Sequence, residues 1–147
     1  MMPIEIREAT IDELQIVHEL AKQIWEPTYR NIISKAQIDF MFDKMYTLHA
    51  LIEQVDEKHH HFLIAYSQNV PVGFASYYFE EAKIIRVPKL YIHPSNQKQG
   101  IGKKLIEEIE VIGKGKSCLA IQLNVNRFNP AFHFYTNAGF SIIRTID

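Results

Sequence analysis

The chain opens with alternating apolar and polar residues at positions 4–7, the two-residue period of a half-buried strand. Apolar residues then recur every three or four positions. This predicts a helix over about residues 11–25 and a second helix with an apolar face over residues 38–48. Pro27 is expected to end the first helix. The pairs with capping-box spacing at the two helix starts are Thr10 with Glu13 and Ser34 with Gln37.

The second half of the chain is richer in strand patterns. Residues 61–66 and 71–79 are largely apolar and are separated by Gln68 and Asn69, which predicts an antiparallel hairpin. Gly113 and Gly115 follow a run with a helical apolar face and are expected to end that helix. The remaining predicted elements are a strand at 89–93, a helix at 100–112, a strand at 118–125, a helix at 130–139 and a strand at 140–146.

These elements follow one another in the order β-α-α-β-β-β-α-β-α-β, which predicts an α/β (α+β) fold with a mixed sheet. The length of 147 residues is typical of one domain, and we expect that domain to span residues 1–147. A hydrophobic fraction of 47% and a charged fraction of 22% are close to the globular average, so disorder, collagen and coiled coil are disfavoured.

Charge and targeting signals indicate a cytoplasmic protein. The formal net charge is −1, so nothing global favours a nucleic-acid or membrane partner. The N-terminus lacks the apolar segment of a signal peptide, and no apolar run approaches the roughly 18–20 residues that span a bilayer. Cys118 is the only cysteine, which excludes an intrachain disulfide and fits a reducing compartment.

The segment between the strand at 89–93 and the following helix carries the clearest chemical signal. Two glycines, Gly100 and Gly102, open the helix after a polar turn, and Lys98, Lys103 and Lys104 add local positive charge. Backbone N–H groups at such a helix start can bind an anion, and glycine lets a phosphate approach them closely. The alternative interpretation is a helix that simply needs a flexible start.

Other motifs are excluded by single positions. A dinucleotide fingerprint needs glycine where Leu105 stands, and a P-loop ending at Ser117 needs its first glycine where Glu110 stands. Residues 59–61 are consecutive histidines, but no other histidine has a recognisable ligand spacing. We therefore expect no metal site, and Cys118 is interpreted as a small core residue rather than a nucleophile.

Two motifs together resemble the GNAT superfamily of N-acetyltransferases. Gln97-x-x-Gly100-x-Gly102, after a strand ending in Pro94, is similar to the acyl-CoA motif of that family. The second GNAT signature is matched downstream by residues 125–140, which include Asn129, Tyr135 and Gly139. The element order is also similar along nearly the whole chain, so the resemblance implies a mostly antiparallel sheet flanked by helices. Its specific part covers about residues 88–141.

The resemblance implies that acetyl-CoA donates an acetyl group to a primary amine of a small molecule or protein by direct attack. Its diphosphate would lie on the glycine turn and its pantetheine arm along the strand at 89–93. The backbone N–H of Ile92 would stabilise the oxyanion, and Tyr135 would act as general acid. Family members also carry a bulge in the strand that corresponds to residues 89–93, which the sequence does not reveal. The residues assigned to the cofactor are Leu90, Tyr91, Ile92, Gln97, Lys98, Gln99, Gly100, Ile101, Gly102, Lys103, Asn129 and Tyr135.

The acceptor side is less defined by the sequence. Trp25, Glu26 and Tyr29 are candidates for the acceptor wall, and no general base is assigned, with a water relay as the default. Members of this family usually carry a seventh strand after the one that begins near Phe140, and this sequence stops at Asp147. This leaves open a strand that lies outside this sequence, a strand supplied by a neighbouring molecule, as in a homodimer, and a fold that dispenses with it. The alternatives are a non-catalytic acyl-CoA sensor or interaction module on the same fold, and a nucleotide-phosphate binder.

Overall fold

A computed structural model describes residues 3–80, 83–97, 99–118 and 120–123 of the chain. These residues form a five-stranded sheet with helices on both of its faces. The strands are β1 (Ile4–Glu8), β2 (His61–Ser67), β3 (Val70–Phe79), β4 (Ile84–Ile92) and β5 (Ala120–Leu123). The helices are α1 (Leu14–Tyr29), α2 (Lys35–Tyr46), α3 (Leu48–Asp56) and α4 (Ile101–Gly115).

The sheet has the strand order β1-β2-β3-β4-β5, so neighbours in sequence are neighbours in space. The first three pairings are antiparallel, and β4 pairs with β5 in parallel over Ile84–Val87 and Ala120–Leu123. The predicted mixed, mostly antiparallel sheet is therefore confirmed. The predicted helix at 130–139 and strand at 140–146 lie outside the described residues, as does the end of the strand predicted at 118–125.

Each face of the sheet has its own apolar core. On one face, Leu105, Ile106 and Ile109 of α4 pack on strand residues such as Ala75 and Val87, all fully buried. On the other face, α1, α2 and α3 cover a second cluster of buried residues. That second cluster includes Leu14, Val17, Leu20, Trp25, Tyr29, Tyr46, Leu51, Phe62, Ile64 and Phe74. Sequestering both faces from water supplies the main stabilisation of the fold.

Local capping signals in the first half are confirmed, but two helix boundaries are not. Ser34 Oγ accepts from the Gln37 N–H at 3.1 Å, and α2 begins there. The prediction that Pro27 ends the first helix was wrong, because α1 continues to Tyr29 with Pro27 inside it. Proline removes only one helical N–H, and the buried side chain of Tyr29 holds the last turn against the sheet.

A third helix was missed, since residues 38–48 were interpreted as one apolar face. The chain instead breaks at Thr47, which is extended, and the Thr47 hydroxyl accepts from the Ala50 N–H at 3.1 Å to begin α3. The helix predicted at 100–112 runs on past Gly113 and ends at Gly115, the second of the two glycines expected to stop it. A Cβ at Gly113 would lie 2.8 Å from Ile85 Cδ1, so a larger residue there would require the end of the Ile85 side chain to move.

Strand β4 is longer than predicted and contains a bulge. Ser76 pairs with Lys89 and Tyr78 pairs with Arg86, so one β3 residue faces two β4 residues, one of which is Pro88. This is the arrangement of a β-bulge, where a residue without an N–H is tolerated.

Within the described residues, no helix is long and apolar enough to cross a membrane.

Candidate active site

The C-terminal half of β4 presents different groups to its two sides. The His93 N–H donates to the Val72 carbonyl at 2.8 Å, which makes 93 and 72 a hydrogen-bonded pair of the antiparallel ladder. Because such pairs alternate, the N–H of Ile92 points away from β3, toward the β5 edge. The sequence-predicted oxyanion donor therefore has a direction that suits its assigned role.

A compact turn joins β4 to the glycine motif. Residues Pro94–Asn96 form one 3-10 turn, and His93 Nδ1 accepts from the Ser95 N–H at 3.1 Å. His93 is thus a turn residue that caps the 3-10 turn after β4. Gln97 Nε2 lies 3.5 Å from the Ile92 carbonyl oxygen, so this side chain reaches back to the end of β4.

The start of α4 has the geometry of an anion site. Gly100 precedes the helix with a φ of 78°, a left-handed conformation that favours glycine. A Cβ at Gly100 would meet no described atom within 4 Å, so the space there is open. The first backbone N–H groups of a helix lack helical partners and lie at its positive end. Ile101, Gly102 and Lys103 carry such groups here, and the Lys103 side chain is exposed. The residues present therefore fit a diphosphate.

Three aromatic residues lie together at the C-terminal end of β4, on the face of the sheet covered by α1–α3. Here called the aromatic wall, they are Trp25, Tyr29 and Tyr91. The Trp25 ring lies 4.7 Å from the Tyr29 ring and 5.8 Å from the Tyr91 ring, centroid to centroid. The two tyrosine hydroxyl oxygens are 3.0 Å apart. Burial raises the pKa of Tyr29, and the hydrogen bond with Tyr91 offsets part of that rise. Two sequence-predicted acceptor residues are thus brought together with Tyr91.

The third predicted acceptor residue, Glu26, is placed differently. Its carboxylate pairs with Arg30 at 3.3 Å, and the side chains of both residues are about half exposed. Glu80, another acid at a strand end, pairs with Arg86 at 2.6 Å. Neither carboxylate lies in the aromatic wall, and no Asp or Glu is among the buried residues that the structure describes. Lys98, Asn129 and Tyr135 lie outside the described residues.

The side chain of Tyr91 was missed by sequence reasoning, which assigned only a cofactor contact to this residue. The signal that would have located it is Pro88, because a proline inside a strand indicates a bulge. After the bulge, residues 89 and 91 face the helices α1–α3, whereas 90 and 92 face α4.

Among the residues that the structure describes, no group of three His, Cys, Asp or Glu could hold a metal.

Comparison with known proteins connects this geometry to a family. The model of the acetyltransferase (GNAT) domain matches residues 58–142. A spermidine N(1)-acetyltransferase of Thermoplasma acidophilum is 32% identical over 96% of this chain and 90% of its own.

Solved structures agree with that match. The PaiA N-acetyltransferase of Thermoplasma acidophilum, crystallised with coenzyme A, has a TM-score of 0.84 and 30% identity. The alignment covers 95% of this chain and 91% of that one. A GNAT-family acetyltransferase of Staphylococcus aureus shares the fold, with a TM-score of 0.74 at 20% identity over 97% of this chain and 87% of that chain. The protein is an acetyl-CoA-dependent N-acetyltransferase that acts on an amine, and its chain belongs to the GNAT family.

Proposed function

We propose that the acceptor is a primary amine of an aliphatic polyamine, of the chemical class to which spermidine belongs. The observation that carries this proposal is the aromatic wall beside the end of β4. An ammonium group is attracted to the faces of tryptophan and tyrosine rings, and the half-buried ring of Tyr91 is backed here by the buried rings of Trp25 and Tyr29. The relative named as a spermidine N(1)-acetyltransferase supports the same acceptor class.

Glu26 extends this site toward solvent. It follows Trp25 in α1, and its half-exposed carboxylate pairs with Arg30 at 3.3 Å. An exposed ion pair contributes little to stability, so a second ammonium of the acceptor can replace Arg30 at low cost. A polyamine would then place one nitrogen at the aromatic wall and another at Glu26.

The transfer proceeds by direct attack of the amine, and acetyl-CoA supplies an activated thioester carbonyl. The Ile92 N–H donates to the oxygen that becomes negatively charged during the attack. Removing one such preorganised donor typically costs about 2.7–4 kcal/mol in the transition state. Cys118 packs beside the α4 core and donates its backbone N–H to the Gly113 carbonyl, which supports a structural role rather than a nucleophilic one.

The remaining roles concern cofactor binding and proton transfer. The amides of Gly100, Ile101, Gly102 and Lys103 hold the diphosphate, supported by Gln97, Lys98 and Gln99. Main-chain groups of Leu90 and Tyr91 bind the pantetheine arm as an added strand would. Asn129 contacts that arm, and Tyr135 protonates the departing thiolate. No base is assigned, so a water relay removes the amine proton.

The proposed acceptor is tested by measuring thiol release from acetyl-CoA over a panel of amines. The panel contains spermidine, a diamine, an aminoglycoside, and peptides with a free α-amino group or a lysine. We expect the highest kcat/KM with the polyamine and a decrease for Glu26→Gln that is larger with spermidine than with a monoamine. A peptide or aminoglycoside as the best acceptor would contradict the polyamine assignment. Binding of acetyl-CoA with no turnover on any amine would contradict catalysis itself.

Tyr135 is tested separately, because its role concerns the leaving group rather than the acceptor. Tyr135→Phe removes only the hydroxyl and is expected to lower kcat by roughly 10- to 10⁴-fold, the scale of general acid–base effects. Calorimetry should show nearly unchanged acetyl-CoA affinity. An unchanged kcat would remove Tyr135 from the mechanism.

A further inference from the structure

Two tyrosines that lie far apart in sequence meet through their hydroxyl groups at the acceptor side of β4. Tyr29 ends α1 and Tyr91 stands directly before Ile92, and their hydroxyl oxygens are 3.0 Å apart. Trp25 packs against both rings, and Phe74 supports the Tyr91 ring at 5.8 Å between centroids. The hydroxyl pair therefore includes that of Tyr91, the residue next to the proposed oxyanion donor.

The protonation state of the pair limits what it can do. Burial raises the pKa of Tyr29 above its ordinary value of 10.0, and the bond to Tyr91 only partly offsets the rise. Tyr29 therefore stays protonated near neutral pH and cannot act as the base that removes the amine proton. A neutral phenol has one proton to donate and two lone pairs that accept. A hydroxyl of the pair can therefore orient an N–H group by accepting a hydrogen bond from it.

We propose that the Tyr29–Tyr91 hydroxyl pair orients the attacking nitrogen of the acceptor, with the Tyr91 oxygen accepting one of its N–H groups. Tyr29 is the positioning residue, because its hydroxyl holds that of Tyr91. Accepting an N–H turns the nitrogen lone pair toward the thioester carbonyl bound beside Ile92. This assignment rests on the proposed transfer to a primary amine and adds the groups that position it.

The rings themselves are fixed without the hydroxyl bond. Tyr29 is 5% exposed and Trp25 is 3% exposed, and both belong to the apolar cluster under α1. Replacement by phenylalanine keeps these ring contacts and removes only the polar atom. The single variants Tyr29→Phe and Tyr91→Phe therefore separate hydrogen bonding from packing.

Steady-state kinetics with the best amine of the panel tests the proposal. Each variant should raise the KM of the amine about three- to tenfold, the effect of losing one neutral hydrogen bond, and leave the KM of acetyl-CoA unchanged. The double variant should be little worse than either single variant, because the two hydroxyls act as one unit. The pH profile of kcat/KM should keep its apparent pKa values near neutral pH, since burial raises the pKa of Tyr29 above 10.0 and its hydroxyl stays protonated there.

Tyr77→Phe is the matched control. Its hydroxyl donates to Glu8 Oε1 at 3.1 Å, and its side chain lies in the core on the opposite face of the sheet. This variant should leave both KM values unchanged. If Tyr29→Phe and Tyr91→Phe also leave the amine KM unchanged, or raise the KM of acetyl-CoA equally, the positioning role is overturned. An inactive wild-type enzyme on every amine would instead overturn the proposed function.

Discussion

The buried ammonium group of Lys89 leads to a measurable pH dependence of stability. Lys89 is 7% exposed and donates to Gln54 Oε1 at 2.8 Å. Its Nζ lies 5.6 Å from the ring centroid of Tyr46 and 5.9 Å from that of Phe62. Burial lowers the pKa of Lys89 from 10.5 to about 8, and the charge of Lys58 adds to the decrease.

The sign of the effect follows from which state binds the Lys89 proton. Between pH 8 and pH 10.5 the unfolded chain is protonated at this residue while the folded chain is not. The free energy of unfolding therefore rises with pH across this window, and the destabilisation is fully present below it. At 1.36 kcal/mol per pKa unit the full destabilisation is on the order of 3 kcal/mol, and about 2 kcal/mol of it disappears between pH 7 and 9.5.

Urea unfolding at several pH values between 7 and 9.5 measures this contribution, with the fluorescence of Trp25, the only tryptophan, as the probe. Lys89→Met keeps most of the side-chain volume and should flatten the rise in stability with pH. The slopes with pH are compared rather than absolute stabilities, because methionine also leaves Gln54 Oε1 without the Nζ donor. Lys22→Met, at an exposed position of α1, is the control. Parallel pH curves for wild type and Lys89→Met would refute the reasoning.

Three further predictions concern stability and are measured by the same unfolding assay. Gly73→Ala would place a Cβ 2.8 Å from Ile92 Cδ1 and 3.0 Å from the Tyr91 carbonyl oxygen, and should destabilise by about 1–3 kcal/mol; an unchanged midpoint would contradict this tight contact. Gly100→Ala should cost about 1–2 kcal/mol because its φ is 78°, and no loss would mean that the turn relaxes. Burial, then the charge of Lys89, lowers the pKa of His60 to about 4. Stability should therefore fall as the pH drops from 6.5 to 4, and His60→Gln should remove part of that fall; an equal fall in both proteins would contradict it.

Short-range signals in the sequence predicted the turns and caps well. Gln68 and Asn69 both have positive φ, at 50° and 66°, which is the backbone of the tight hairpin turn expected between β2 and β3. Ser34 caps α2 through its own side chain. These features depend on a few consecutive residues, so the sequence contains all the information that they need.

Features that depend on distant contacts were not predictable from the same patterns. Pro27 is an ordinary helix-ending residue, yet it stands inside α1 because the surrounding side chains hold it there. The hydroxyl contact of Tyr29 with Tyr91 joins residues 62 positions apart. Periodicity places each tyrosine on an element but does not say which elements meet. The glycine motif was located because its chemistry is local to one strand, turn and helix start.

The bulge at Pro88 links the two sides of the candidate site. Before the bulge, Ile85 and Val87 face α4; after it, Leu90 and Ile92 face α4. One extra residue therefore reverses the alternation, since strand side chains alternate with a period of two. Without that extra residue, Tyr91 would face α4 and could not reach Tyr29, and the N–H of Ile92 would point toward β3. The same irregularity thus turns an aromatic hydroxyl toward the acceptor side and a backbone donor toward the β5 edge, where the cofactor arm is proposed to lie.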